Sequence, residues 1–141
     1  MNARRRQAPD DDGSVLILTL GYAVLALVAV LVCANATSLY LAQKRLDSLA
    51  DAAALAGADG FILEIVDGEP VATLTDAQVR DQASALIGQV DPDAVLVAAG
   101  TPDGVSARVT VAGAWLPPVL TLFVPDGVAL EATATSRTAL D

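Results

Sequence analysis

Apolar and polar residues divide this chain into three patterns. From Gly13 to Gln43 no residue is charged, and Val15 to Ala34 is apolar apart from Thr19, Gly21 and the amphipathic Tyr22. About 20 apolar residues at a 1.5 Å rise cross a hydrocarbon core of roughly 30 Å. The pattern predicts a transmembrane helix from Val15 to about Ala36. The next stretch, TSLYLAQKRLDSLADAAALAGADG, carries Leu39, Ala42, Leu46, Leu49, Ala53 and Ala56 at spacings of three and four. That is the period of one helix face. Neither proline nor glycine interrupts Tyr22 to Ala56, so a single helix is expected from about Ser14 to Ala58, ended by Gly57 and Asp59-Gly60.

The remainder is shorter in period. Phe61 to Val66 is apolar except for Glu64, and fits a short strand or a last helical turn equally well. Asp67-Gly68-Glu69-Pro70 reads as a turn or loop. Thr75-Asp76-Ala77-Gln78 carries the capping-box pattern, with Val79, Ala83, Leu86 and Ile87 as the apolar face of a second helix. Ala94 to Ala99 is a short apolar strand, closed by the turn Thr101-Pro102-Asp103-Gly104. Val105, Ala107, Val109 and Val111 alternate with Ser106, Arg108 and Thr110, and Val128, Leu130, Ala132 and Ala134 alternate with polar residues in a last strand. Trp115-Leu116-Pro117-Pro118 breaks the pattern, and Val119 to Val124 fits either a membrane-surface segment or a cover over the sheet. The expected fold is α+β: a long N-terminal transmembrane helix continuing into a small domain with one further helix and about three antiparallel strands, a pilin-like lollipop. The expected domains are a cytoplasmic tail (1–13), the helix and its outer extension (14–58), and a small extracytoplasmic domain (59–141).

Charge sets the orientation. The 141 residues carry a net charge of −9 and a mean hydropathy of +0.54. Arg4, Arg5 and Arg6 precede the span, which places the N-terminus inside and the acidic domain outside. An acidic domain lacks the clustered Lys and Arg that phosphate contacts need, so nucleic acid is not an expected partner. The chain has no histidine and one cysteine, Cys33, within the span. That removes imidazole catalysis, most zinc sites and an internal disulfide. Ser48, Ser84, Ser106 and Ser136 have no base partner in sequence, and no glycine-rich phosphate loop follows a strand. No enzyme, catalytic residue, metal or cofactor is expected. A signal-peptide outline ending at Ala34-Asn35-Ala36 competes with the anchor, but its apolar run is longer than the usual 7–15 residues.

The run from Gly13 to Ala58, closing in Ala50-Asp51-Ala52-Ala53-Ala54-Leu55-Ala56-Gly57-Ala58, resembles the N-terminal region of TadE/TadG-like proteins of the Tad (Flp-type) pilus assembly system. The downstream LTDAQVRDQASALI and the Val-, Ala- and Thr-rich closing strands are similar to high-GC actinobacterial members. The resemblance implies a non-enzymatic, single-pass cell-membrane protein that takes part in pilus assembly or anchoring through helix packing. Its implied partners are other Tad assembly proteins or pilin subunits, in a homo- or hetero-oligomer. A prepilin-type cut would fall between Gly13 and Ser14, but the fifth residue after Gly13 is Leu18, where processed relatives carry glutamate. Asn35 stands where many relatives have aspartate. Candidate helix-packing residues are Gly21, Ala26, Asn35, Leu39, Ala42, Leu46, Leu49, Ala53 and Ala56. Two readings remain beside this one: a processed minor pseudopilin, and a secreted or anchored extracytoplasmic binding module unrelated to pili.

Overall fold

The structure is a computed structural model and describes residues 11–119, 121 and 124–137. The chain divides into two compact units, Met1–Thr37 and Ser38–Asp141. The long helix α1, Asp11–Asp59, contributes to both. It begins three residues before the expected Ser14. The tail expected for residues 1–13 therefore loses its last three residues to α1, and its first ten lie outside the described residues.

In the first unit α1 is long and apolar enough to cross a membrane, and its large side chains from Val15 to Val32 are exposed, apart from a half-covered Leu31. Two of its polar side chains bond to their own backbone. The Thr19 hydroxyl donates to the Val15 carbonyl at 2.8 Å, and the Asn35 amide donates to the Leu31 carbonyl at 2.8 Å. Such bonds satisfy donors that a hydrocarbon environment would leave unpaired.

The second unit is built from the rest of α1, the hairpin β1 (Ile62–Val66) and β2 (Glu69–Thr73), helix α2 (Asp76–Val90), and strands β3 (Val95–Gly100), β4 (Ser106–Trp115) and β5 (Val128–Arg137). The main sheet is antiparallel in the order β3-β4-β5. One of its faces supplies Ala99, Ala107, Val109, Val111, Ala132 and Ala134 to the core, where they meet Leu46, Leu49, Ala53 and Ala54 of α1 and Val79, Ala83 and Ile87 of α2. The other face is polar. Thr110 and Thr133 share a hydrogen bond across β4 and β5 at 2.8 Å, and Arg108 donates to the Thr135 hydroxyl at 3.3 Å. This is the α+β arrangement the alternation predicts, with three strands in the main sheet.

The additional hairpin β1–β2 differs from expectation. Asp67 and Gly68 have φ of 56° and 87°, the two positive values of a type I′ turn, which connects strands of right-handed twist directly. Only these two residues form the turn; Glu69 and Pro70 belong to β2. Phe61 to Val66 is thereby resolved as a strand entry. Of the segment Val119 to Val124, Leu120, Leu122 and Phe123 lie outside the described residues. Strand β3 carries an irregularity between Leu96 and Ala98 that keeps Ala99 facing inward opposite Val109.

Helix α2 starts as its sequence requires. The Thr75 hydroxyl accepts from the Gln78 amide N–H, and the Gln78 side chain accepts from the Thr75 N–H at 2.9 Å. Asp76 in the first turn reaches across to accept from the Thr101 N–H at 2.7 Å. A Cβ at Gly100 would lie 2.7 Å from that Asp76 oxygen, so this crossing needs glycine.

Candidate functional site

The candidate helix-packing residues all lie along α1. Gly13, Ser14, Gly21 and Ala26 lie within α1 and are exposed. A Cβ added at Gly13 or Gly21 would meet no atom within 4 Å. Asn35 is buried, and its carbonyl oxygen has no hydrogen-bond partner among the described residues. Further along, Leu46, Leu49 and Ala53 are buried in the second unit's own core, while Leu39, Ala42 and Ala56 are half-buried.

The structure brings in residues that the spacing of three and four did not select. Ala50, Ala54, Gly57 and Ala58 are buried as deeply as the expected seam. The reason is that α1 packs on two elements at once. A Cβ at Gly57 would lie 2.9 Å from a Val79 methyl of α2 and 3.3 Å from the Ala107 methyl of β4. A helix wedged between a helix and a sheet buries a stripe two residues wide, 49/50, 53/54 and 57/58, broader than a single-partner seam. Small side chains allow both neighbours to approach. That explains the alanine-rich stretch: alanine gives strong helix propensity and adds little bulk. At the other end of the interface Leu46 packs over Gly113 of β4, and a Cβ there would meet its methyl in ordinary contact at 3.5 Å.

The side of α1 away from the core remains open. Leu41, Ser48 and Ala52 line a shallow groove of about 470 Å³ with Lys44, Arg45 and Val90. Lys44 forms an ion pair with Asp47 at 3.2 Å. The hydrogen bond and charge of Asp47 hold the Lys44 ammonium above its ordinary value. Donation from Gln43, then from Lys44, holds the Asp47 carboxyl below its own. Gln43 also donates to the Glu131 carbonyl at 3.2 Å, which ties α1 to β5. The Trp115 indole N–H donates to the Ser38 hydroxyl at 3.1 Å, a second tie between α1 and the sheet.

Asp103, Ser48, Ser84 and Ser106 serve local structure. Asp103 accepts from the Val105 N–H at 3.1 Å, the Ser106 N–H at 2.6 Å and the Ser106 hydroxyl at 2.9 Å, closing the β3–β4 turn. These bonds, the Val105 N–H first, hold its carboxyl below the ordinary range. Ser48 donates to the Lys44 carbonyl and Ser84 to the Asp81 carbonyl. Among the described residues no group of three or more Cys, Asp or Glu side chains could hold a metal ion.

Residues 13–60 match the family model described as Putative Flp pilus-assembly TadE/G-like. The match covers about a third of the chain. It starts near the beginning of α1 and ends one residue beyond it, so the family likeness and the long apolar helix coincide. That combination fits a membrane protein associated with a Tad pilus system, from a family whose role is structural. No curated protein and no solved structure matches the chain.

Proposed function

We propose that the protein is a non-enzymatic, single-pass membrane component that takes part in assembling or anchoring a Tad/Flp-type pilus through helix packing. The observation that carries this reading is the coincidence of the TadE/G-like match with α1. The N-terminus faces the cytoplasm, as the three arginines before the span favour, and the acidic α+β domain stands outside. Gly21 and Ala26 offer a small-residue surface for a neighbouring membrane helix, because close packing rather than hydrophobic exclusion associates helices in lipid. Leu46, Leu49 and Ala53 serve the domain's own core, which leaves the membrane half of α1 and the groove beside Leu41 for other Tad assembly proteins or pilin subunits. Leu18 in place of the glutamate of processed relatives favours a retained anchor with Gly13-Ser14 intact.

The test joins localisation to phenotype. The intact mass of the protein extracted from its native membranes should be that of the uncut chain, 14.3 kDa. Deleting the protein from a host that makes Flp-type pili should reduce surface fibres, and re-expression should restore them. Loss of residues 1–13 would replace this reading with a processed pseudopilin. A soluble fragment lacking residues 1–36, with fibres unchanged on deletion, would replace it with a secreted module.

A further inference from the structure

The hairpin β1–β2 concentrates large apolar side chains that the core of the second unit leaves uncovered. Ile62, Leu63, Ile65, Val66 and Val71 are all exposed, Ile65 by 81%. They lie on both faces of the ribbon, since successive side chains of a strand alternate. The base of the ribbon is held: Ala72 and Leu74 are buried, and the Leu74 N–H donates to the Gly104 carbonyl at 2.8 Å. The two strands pair only with each other, and an isolated two-stranded hairpin is marginally stable in water.

The two edges of this ribbon are unequal. Val66 and Glu69 flank a two-residue turn and are therefore a hydrogen-bonded pair. Alternation along the ladder makes Glu64/Val71 and Ile62/Thr73 bonded pairs as well. The N–H and C=O groups of Leu63 and Ile65 then point away from β2, as do those of Pro70 and Ala72 away from β1. Proline has no N–H, so the β2 edge is blunted in the way natural edge strands often are. The β1 edge keeps both donors and both acceptors, and neither proline nor lysine guards it.

Charge selects among possible occupants. Between Asp59 and Asp76 the chain carries Asp59, Glu64, Asp67, Glu69 and Asp76, and its next basic residue is Arg80. Glu64 is the central residue of β1. Two copies joined edge to edge about that centre would set Glu64 against Glu64, and like charges directly opposite are destabilising. An anionic bilayer would be repelled for the same reason.

We propose that the β1 edge takes up an extended segment of a partner protein in which apolar residues alternate with lysine or arginine. The segment adds as a third strand: its backbone meets the free groups of Leu63 and Ile65, its apolar side chains cover Leu63 and Ile65 on one face, and its cations meet Glu64. The inference goes beyond the pilus reading and does not depend on it, because a chain outside a pilus system would carry the same edge.

The test uses the full chain in uncharged detergent micelles, with amide hydrogen exchange read by NMR. The probe is the peptide acetyl-Lys-Val-Lys-Val-Lys-Val-Lys-amide, with its Glu-for-Lys counterpart as control. The basic peptide should slow exchange at Leu63 and Ile65 by about tenfold or more, and the acidic one should not. Ile65→Pro removes one outward donor, leaves the bonded pairs of the hairpin in place, and should abolish protection at Leu63. Glu64→Lys, an exposed change that keeps the ribbon folded, should reverse the preference between the peptides. Absence of protection, or equal protection by both peptides, overturns the proposal. Protection that appears on concentrating the protein alone, or on adding phosphatidylglycerol vesicles, also overturns it, in favour of a second copy or a membrane surface.

Discussion

Gly57 of α1 sits so close to Val79 of α2 that a methyl group on it would lie 2.9 Å from the Val79 Cγ1. Val79 is fully buried, so it has nowhere to yield. Overpacking of this kind costs roughly 1–3 kcal/mol, offset by the 0.5–1 kcal/mol that alanine gains over glycine in a helix. Gly57→Ala should therefore destabilise the second unit by about 1 kcal/mol net, and Gly57→Val by more, in denaturant unfolding followed by circular dichroism.

The same contact predicts a coupling. Val79→Ala alone removes two buried methyl groups and should cost about 2 kcal/mol. Combined with Gly57→Ala it frees the space the new methyl needs. The double variant should be more stable than the sum of the single costs predicts, by about 1 kcal/mol in a double-mutant cycle. Simple additivity would mean that the backbones of α1 and α2 shift apart instead.

The capping box of α2 can be separated from helix propensity. Thr75→Ala removes the hydroxyl that accepts from Gln78 and should cost about 1 kcal/mol. Thr75→Ser, which keeps that oxygen, should recover most of the loss. Melting temperatures of the three proteins in one detergent decide this.

Asp103 links the β3–β4 turn to pH. Its carboxyl is held below the ordinary value of 3.8 by bonds that exist only in the folded chain. A carboxyl lowered in this way stabilises the folded state at every pH above its unfolded value, and that contribution disappears as pH falls through the lower folded value. The wild-type melting temperature should therefore fall more steeply below about pH 4 than that of Asp103→Asn, whose turn stays weak but insensitive to acid.

Much of this architecture is legible in the residues, and what is not has a physical cause. The long apolar run, the Thr75-to-Gln78 capping pattern and the alternation through Val109 and Val111 each carry a period that only one element satisfies. The β1–β2 hairpin was concealed by Pro70, which argues against a strand until it is seen that only an edge is involved. The wide stripe through Ala50, Ala54 and Gly57 is concealed because a period of three and four describes one partner where α1 has two. On the candidate site, spacing marks Leu46, Leu49 and Ala53 as a seam that packs either on the chain's own small domain or on other subunits, and the core shows that the domain covers them. Val97, exposed at the irregularity in β3, carries no signal that alternation could have shown.

Trp115 is the only tryptophan in the chain, and its indole is hydrogen-bonded to Ser38 of α1. The protein therefore contains an intrinsic fluorophore at the join between its helix and its sheet. Emission from unlabelled material reports whether that join is closed, in detergent, in vesicles or in a native envelope, without any probe being attached.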